Sequence, residues 1–359
     1  KMKKKLVGML ATATLLTMAL AGNVQAAEIR SVGPDGEAAV DASTIELTDD
    51  QIAQIKEGGY TAAICLHYGG NDWSTSQQKG LEDTFGELGI EIVAVTDANF
   101  SAETQVSNIE TVMAKKPDIL VSIPTDATAT ADAYKQAAAA GIKIVFMDQR
   151  ADGLEAGKDY VSVVSADNYG NGYASGTVLG DALGGKGKVA MVYYDANFAP
   201  TNQRDEGFRD AMKNYPDIEI VTEQGFTDES GCAEQGDAIL TQFPNIDGIY
   251  ASWDVPMEGV LSAVRAAGME GKVTLACNDL GNNVAREIAS GNIAGGGAQM
   301  PYDQGVAEAK LAALALLGEE TPSYVAVPAE TVTHENVLEA YTDVYHVETP
   351  DWLKEAYVE

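Results

Sequence analysis

Short apolar runs alternate with amphipathic stretches along most of the chain. The runs are Thr61–Leu66, Ile90–Thr96, Ile119–Ile123, Ile142–Met147, Val161–Val164, Val189–Tyr193, Ile218–Thr222, Gly248–Ala251 and Val273–Ala276. They are rich in Val and Ile and apolar throughout, as expected of strands covered on both faces of a parallel sheet. Between them the spacing predicts helices over Ser76–Leu88, Ala102–Ala114, Ala127–Ala140, Asn171–Leu183, Gln203–Asn214, Cys232–Gln242, Met257–Ala267 and Asn283–Ser290. A further helix is predicted over Tyr302–Leu317 and a late strand over Tyr324–Val327. Strand and helix in strict turn predict an α/β fold of doubly wound parallel sheets. There are too many strands for one ordinary sheet. The polar segment Gln149–Lys158 is the expected boundary between two lobes, after which the cycle restarts.

The first 26 residues depart from this rhythm. Lys3, Lys4 and Lys5 precede an apolar run over Leu6–Ala21, and Val24-Gln25-Ala26 places small side chains where a signal peptidase reads. The pattern predicts an export signal cleaved after Ala26, too short for a stable membrane span. Asn23 stands where a lipoprotein signal would carry Cys. The expectation is an unanchored protein in the periplasm. A leader over 27–58 follows, with a short helical pattern over Leu47–Glu57 capped by Thr48.

Composition narrows the partners. The chain has 23 basic and 54 acidic residues, a net charge of −31. Phosphate binding needs basic surface, so nucleic acid and anionic membrane are excluded as natural partners. Three Cys (Cys65, Cys232 and Cys277) do not make a disulfide scaffold. Three His without paired Cys/His spacing argue against a zinc site, and no metal or cofactor is expected.

In open α/β sheets, ligands bind beyond the carboxyl ends of the strands. The residues there are mostly carboxylates, amides and aromatics. They include His67-Tyr68, Asn71 and Trp73, then Asn99-Phe100, Asp126, and Asp148-Gln149-Arg150. Further along come Asp167-Asn168-Tyr169, Asn197-Phe198, Asn202, Arg204, Phe226, Trp253-Asp254, Asn278-Asp279 and Gln299. Such a set suits a neutral polyhydroxylated ligand, because carboxylates accept from adjacent hydroxyls and aromatic faces cover sugar C–H faces. Capping of the next helix is the better reading for Asp126, Asp167 and Asp254. Asp148 and Asp279 directly follow apolar strands and are read as ligand contacts. Gly170-Asn171-Gly172…Gly176 has the wrong spacing for a dinucleotide fingerprint and reads as helix packing. No G-x-S-x-G or P-loop occurs. Asp148 and Asp279 as a glycosidase pair form the enzymatic alternative.

Several segments together resemble periplasmic sugar-binding proteins of the ribose-binding type, the solute-collecting components of ABC importers. They are Ile119–Asp126, Phe146–Asp148, Ser165–Asn168, Arg204–Phe208 and Ala298–Gln304. The likeness spans about residues 60–330. It implies a type I periplasmic binding fold: two lobes, three crossings and a ligand cleft between them. The first lobe would comprise 59–150 and about 300–325. The second would comprise 151–299 and about 326–340, leaving 341–359 as a tail. The likeness places Asn71, Trp73, Asp148, Phe226, Trp253, Asp279 and Gln299 at ligand contacts; Gln149, Arg150 and Asn202 join them as candidates, with Tyr68, Asp126, Tyr169 and Arg204 as lesser ones. It implies a non-catalytic monomer whose partners are a small sugar or polyol and the permease subunits of the importer. A sugar receptor for a chemotaxis or sensor protein would share the same cleft. Gln149 before Arg150, Asn202 in place of an Arg, Ser74 in place of a second aromatic and Trp253 in place of an amide depart from the ribose binders and argue against ribose itself.

Overall fold

A computed structural model describes residues 28–358. The expected export signal lies outside the described residues. Two sheets carry the fold. The first has seven strands in the order β1-β12-β6-β5-β4-β2-β3, all parallel. They are β1 (Val40–Asp41), β2 (Thr61–Leu66), β3 (Glu91–Asp97), β4 (Ile119–Ser122), β5 (Lys143–Met147), β6 (Ser162–Ala166) and β12 (Tyr324–Val327). The second has six, in the order β13-β11-β10-β9-β7-β8. They are β7 (Lys186–Tyr194), β8 (Asp217–Phe226), β9 (Gly248–Ala251), β10 (Thr274–Cys277), β11 (Gly295–Ala298) and β13 (Glu330–Thr333), the last antiparallel to β11.

The chemistry of the runs explains the layers. β4, β6 and β9 are buried at every residue, because helices cover both faces. On the first sheet α2 (Asp72–Glu87) packs on α10 (Pro301–Leu316). On the second, α5 (Asn168–Ala182) packs on α6 (Ala199–Met212). The glycines of the 170–176 motif make that second contact possible. A Cβ on Gly172 would lie 1.8 Å from the Arg204 carbonyl oxygen, and one on Gly176 would lie 2.6 Å from Ala211 Cβ.

The chain crosses between lobes three times: between β6 and α5, between β11 and α10, and between β12 and β13. This moves the expected first boundary. The segment after Asp148 is a loop of the first lobe, and β6 returns to pair with β5 and β12. The second lobe therefore starts at α5. A polar stretch marks a loop, but it does not say which sheet the next strand joins. By the same topology β12 belongs to the first sheet through Val327.

The two terminal segments are part of the fold. Thr48 caps α1 (Asp49–Gly58) in a capping box with Gln51. Upstream, the backbone N–H groups of Arg30 and Ser31 donate to the Asp167 carboxylate at 2.9 and 2.8 Å, beside the first crossing. The Arg30 guanidinium lies 3.9 Å from the Tyr173 ring centroid on α5. The leader thus touches the second lobe at Tyr173 and the first through β1. Beyond β13, α11 (Val337–Tyr345) and α12 (Asp351–Ala356) pack on α9 (Asn282–Ala289) of the second lobe.

Candidate functional site

The carboxyl ends of the strands of both sheets face one cleft. A cavity of about 40 Å³ lies there, walled by His67, Tyr68, Asn71, Trp73, Phe100, Ile123 and Asp148 from the first lobe. Tyr194, Phe198, Pro200, Thr201, Arg204, Trp253 and Asp279 face them from the second, and Gln299 comes from the second crossing.

Its charged floor is built around Arg204 on α6. The guanidinium donates from Nε to Asn168 Oδ1 at 2.8 Å and from one terminal nitrogen to Asp279 Oδ2 at 3.1 Å. Burial opposes its charge. Asp279 and Asp148 outweigh that effect and hold its pKa above the ordinary value. Asp279 Oδ1 accepts from Gln299 Nε2 at 2.7 Å. Asp148 Oδ1 accepts from Ser165 Oγ at 3.1 Å and from the Ala166 backbone N–H at 3.2 Å. Burial pushes its pKa up, while the Arg204 charge pulls the other way. Asp148 and Asp279 sit at φ values of 54° and 69°, left-handed backbone that few non-glycine residues adopt. Such outliers collect at functional sites, where the surrounding structure holds them. Both Asp279 oxygens are thus engaged within the protein.

Aromatic rings form the walls. Tyr68 stacks on Phe100 with centroids 4.2 Å apart. His67 stacks on Phe198 of the opposite lobe at 5.5 Å and 19°. Burial lowers the His67 pKa to about 3, so its ring is neutral. Trp253 donates from Nε1 to Glu229 Oε1 at 2.8 Å and packs edge-on against Tyr194. Asn71 caps α2 by accepting from the Ser74 N–H at 2.9 Å, and its amide donates to the Tyr68 hydroxyl. Three buried polar atoms on residues of the cavity walls have no partner among the described residues: His67 Nδ1, Trp73 Nε1 and Gln299 Oε1.

A model of the periplasmic binding protein domain matches residues 62–320. The chain belongs to the periplasmic binding protein family. Among curated relatives, the D-ribose/D-allose-binding protein of Pseudomonas aeruginosa is 29% identical over 273 residues, covering 73% of this chain and 83% of that protein. The ribose import binding protein of Bacillus subtilis is 27% identical over 213 residues, covering 59% and 67%. An ABC transporter solute-binding protein from Actinobacillus succinogenes, solved with bound D-allose, superposes with a TM-score of 0.72 at 29% identity, covering 77% of this chain and 99% of that one. One from Agrobacterium vitis, solved with α-D-tagatopyranose, gives a TM-score of 0.73 at 26% identity, covering 81% and 100%.

In this member of the family the sequence candidates separate into two groups. Tyr68, Asn71, Trp73, Asp148, Arg204, Trp253, Asp279 and Gln299 all line the cavity. The others do not. Arg150 turns away and pairs with Asp35 of the leader at 2.7 Å. Gln149 lies buried between lobes, donating to the Pro124 carbonyl and accepting from the Ala199 N–H. The left-handed turn at Asp148 separates these neighbours in direction. Asn202 is exposed on α6, one helical step away from the inward-facing Thr201. Phe226 lies in the core behind Trp253, with centroids 5.1 Å apart. Asp126 Oδ1 accepts from the N–H groups of Thr128 and Ala129, closing a turn. Tyr169 donates its hydroxyl to Asp210, outside the cavity. The site also includes His67, Phe100 and Phe198, which stood in the strand-end set but not among the ligand contacts, and Tyr194, Pro200, Thr201 and Ile123, which stood in neither. Their signal was available in part, since aromatic residues stand at or within four residues of the carboxyl ends of β2, β3 and β7.

Arg150→Ala tests the division. Asp35 is largely exposed, so losing the pair should lower stability by only about 0.2–1 kcal/mol. Ligand affinity measured by calorimetry should stay at the wild-type value; a tenfold loss would put Arg150 back in the site.

Proposed function

We propose that this protein is an extracytoplasmic solute-binding protein. It captures one neutral monosaccharide or polyol between its lobes and presents it, unaltered, to an ABC-type importer. The observation that carries this reading is the set of orphaned polar atoms on residues that wall an aromatic-lined cavity. Leaving a buried donor or acceptor unmade costs roughly 1–3 kcal/mol each. A sugar hydroxyl both donates and accepts, so one ligand can satisfy the Trp73 indole N–H, the Gln299 carbonyl and the His67 ring nitrogen. Arg204 offsets one of the two floor carboxylates, so an anionic ligand would meet net negative charge. The relatives named for ribose and allose support the ligand class. No helix among the described residues is long and apolar enough to cross a membrane.

Closure follows from the wall being shared. A ligand that touches both lobes stabilises the closed arrangement by its differential affinity for it. The test is a thermal-shift screen with D-ribose, D-allose, D-tagatose, D-arabinose and myo-inositol, followed by recovery of the sugar. A cognate sugar at 100 times its Kd adds about 2.7 kcal/mol to the native state and is recovered intact. Asp148→Ala should weaken that sugar roughly tenfold to a hundredfold, the worth of a charge-assisted hydrogen bond. A protein that no neutral sugar or polyol stabilises, or one that converts the sugar, overturns the proposal.

A further inference from the structure

The segment beyond the family match holds the second floor carboxylate's loop and touches the first lobe. Val337, Ala340, Tyr341 and Val344 of α11 are buried against the second lobe. Two hydroxyls on this helix reach the loop that carries Asp279. Tyr345 donates to the Leu280 carbonyl at 2.7 Å, and Tyr341 donates to Asn282 Oδ1. Asn282 then spans the cleft: its backbone N–H and side-chain amide donate to the Asp72 carboxylate at 2.8 and 2.9 Å. Asp72 directly precedes the cavity residue Trp73. Val344 and Tyr345 also wall a void of about 10 Å³ together with Trp73, Asp279, Gln299 and Pro301. At the end of the helix His346 adopts φ 52° and lies over the first lobe. Its Nε2 is 3.0 Å from the Asp303 carboxylate, and its ring is 4.4 Å from that of Tyr302, both on α10.

We propose that α11 with His346 is a clasp for the closed cleft, seated on the second lobe and engaging the first through Asn282 and His346. Tyr341 and Tyr345 are positioning residues: they act on the ligand through the Asp279–Asn282 loop. The inference rests on the reading that the lobes close on a ligand. It adds that α11 and His346, which lie outside the residues 62–320 matched by the family model, support one closure contact (Asn282 to Asp72) and supply another (His346 to Asp303).

The experiment measures the distance between lobes in the full chain. Spin labels on Glu103→Cys and Lys213→Cys, both exposed and on opposite lobes, report opening. The three native cysteines are buried. His346→Ala, Asp303→Asn and Tyr341→Phe/Tyr345→Phe should each move the open-to-closed ratio toward open, by about two- to fivefold, as the loss of one surface imidazole–carboxylate contact or of two hydrogen bonds allows. His346→Ala combined with Asp303→Asn should do no more than His346→Ala alone. A merely structural helix would lower the melting temperature and leave the distance distribution unchanged, which overturns the clasp. A wild-type chain with no closed population, with or without the sugars, overturns it as well. If the sugars fail to bind but the variants still open the cleft, the ligand reading falls and the clasp stands.

Discussion

Arg204→Ala is expected to be among the most damaging single changes in the molecule. The guanidinium is 6% exposed and the carboxylate of its partner Asp279 is 9% exposed. Removing it leaves Asp279 and Asp148 buried without their cation, and it also removes a donor to Asn168 and to the Ser252 carbonyl. Breaking a buried pair from one side costs about 3–5 kcal/mol, because the remaining charge keeps its desolvation penalty. The loss should appear as a lower urea midpoint with an unchanged m-value. Its pH dependence has a definite sign. Asp148 already has a folded-state pKa above its unfolded value, through burial. Such a group favours the fold while protonated and loses that contribution as pH rises through its folded pKa. Without the Arg204 charge the upward shift grows, so the variant's deficit should shrink as the solution is made more acidic. A deficit that is small, or that is constant between pH 8 and pH 5, would show that Arg204 does not hold the floor together.

Gly296→Ala should come second. A Cβ there would lie 1.7 Å from the Cys277 carbonyl oxygen and 2.8 Å from Ser175 Oγ. Neither the strand backbone of β10 nor the buried Ser175 can move aside cheaply. Overpacking of this kind costs about 1–3 kcal/mol, and more when backbone is the obstacle. Because β11 leads directly into Gln299, the strand should carry the damage into the cleft. Chemical denaturation and sugar titration should both report it. A variant that loses stability but binds sugar as tightly as wild type would mean that Gln299 is placed independently of β11.

That glycine strand also marks the limit of what the residue pattern reveals. Runs rich in Val and Ile declare themselves, and Thr61–Leu66, Gly248–Ala251 and Tyr324–Val327 are strands over the residues expected. β11 reads Gly-Gly-Gly-Ala and has no side chains with which to announce a buried strand, although all four residues are buried. Its neighbour β13 is a polar edge strand and is equally silent. In the cleft, the residues that directly end a strand or open a helix were legible: Asn71, Asp148, Trp253 and Asp279 are where their type suggested. One residue further on, direction depends on backbone turns that composition does not encode. Gln149 and Arg150 differ from Asp148 for that reason alone. The family likeness stops at the segments it covers, so the α11 contacts were beyond its reach.

The distribution of the three tryptophans has a practical meaning. Trp73 and Trp253 stand on opposite walls of the cavity, and Trp352 packs against Tyr341 on the tail. Every indole in the sequence therefore sits either where a ligand would arrive or beside the helix that bridges the lobes. The Trp73 N–H is buried without a partner among the described residues, whereas that of Trp253 is bonded to Glu229. Native ultraviolet emission should thus be dominated by the moving edge of the molecule, giving an optical record of ligand arrival without any added dye.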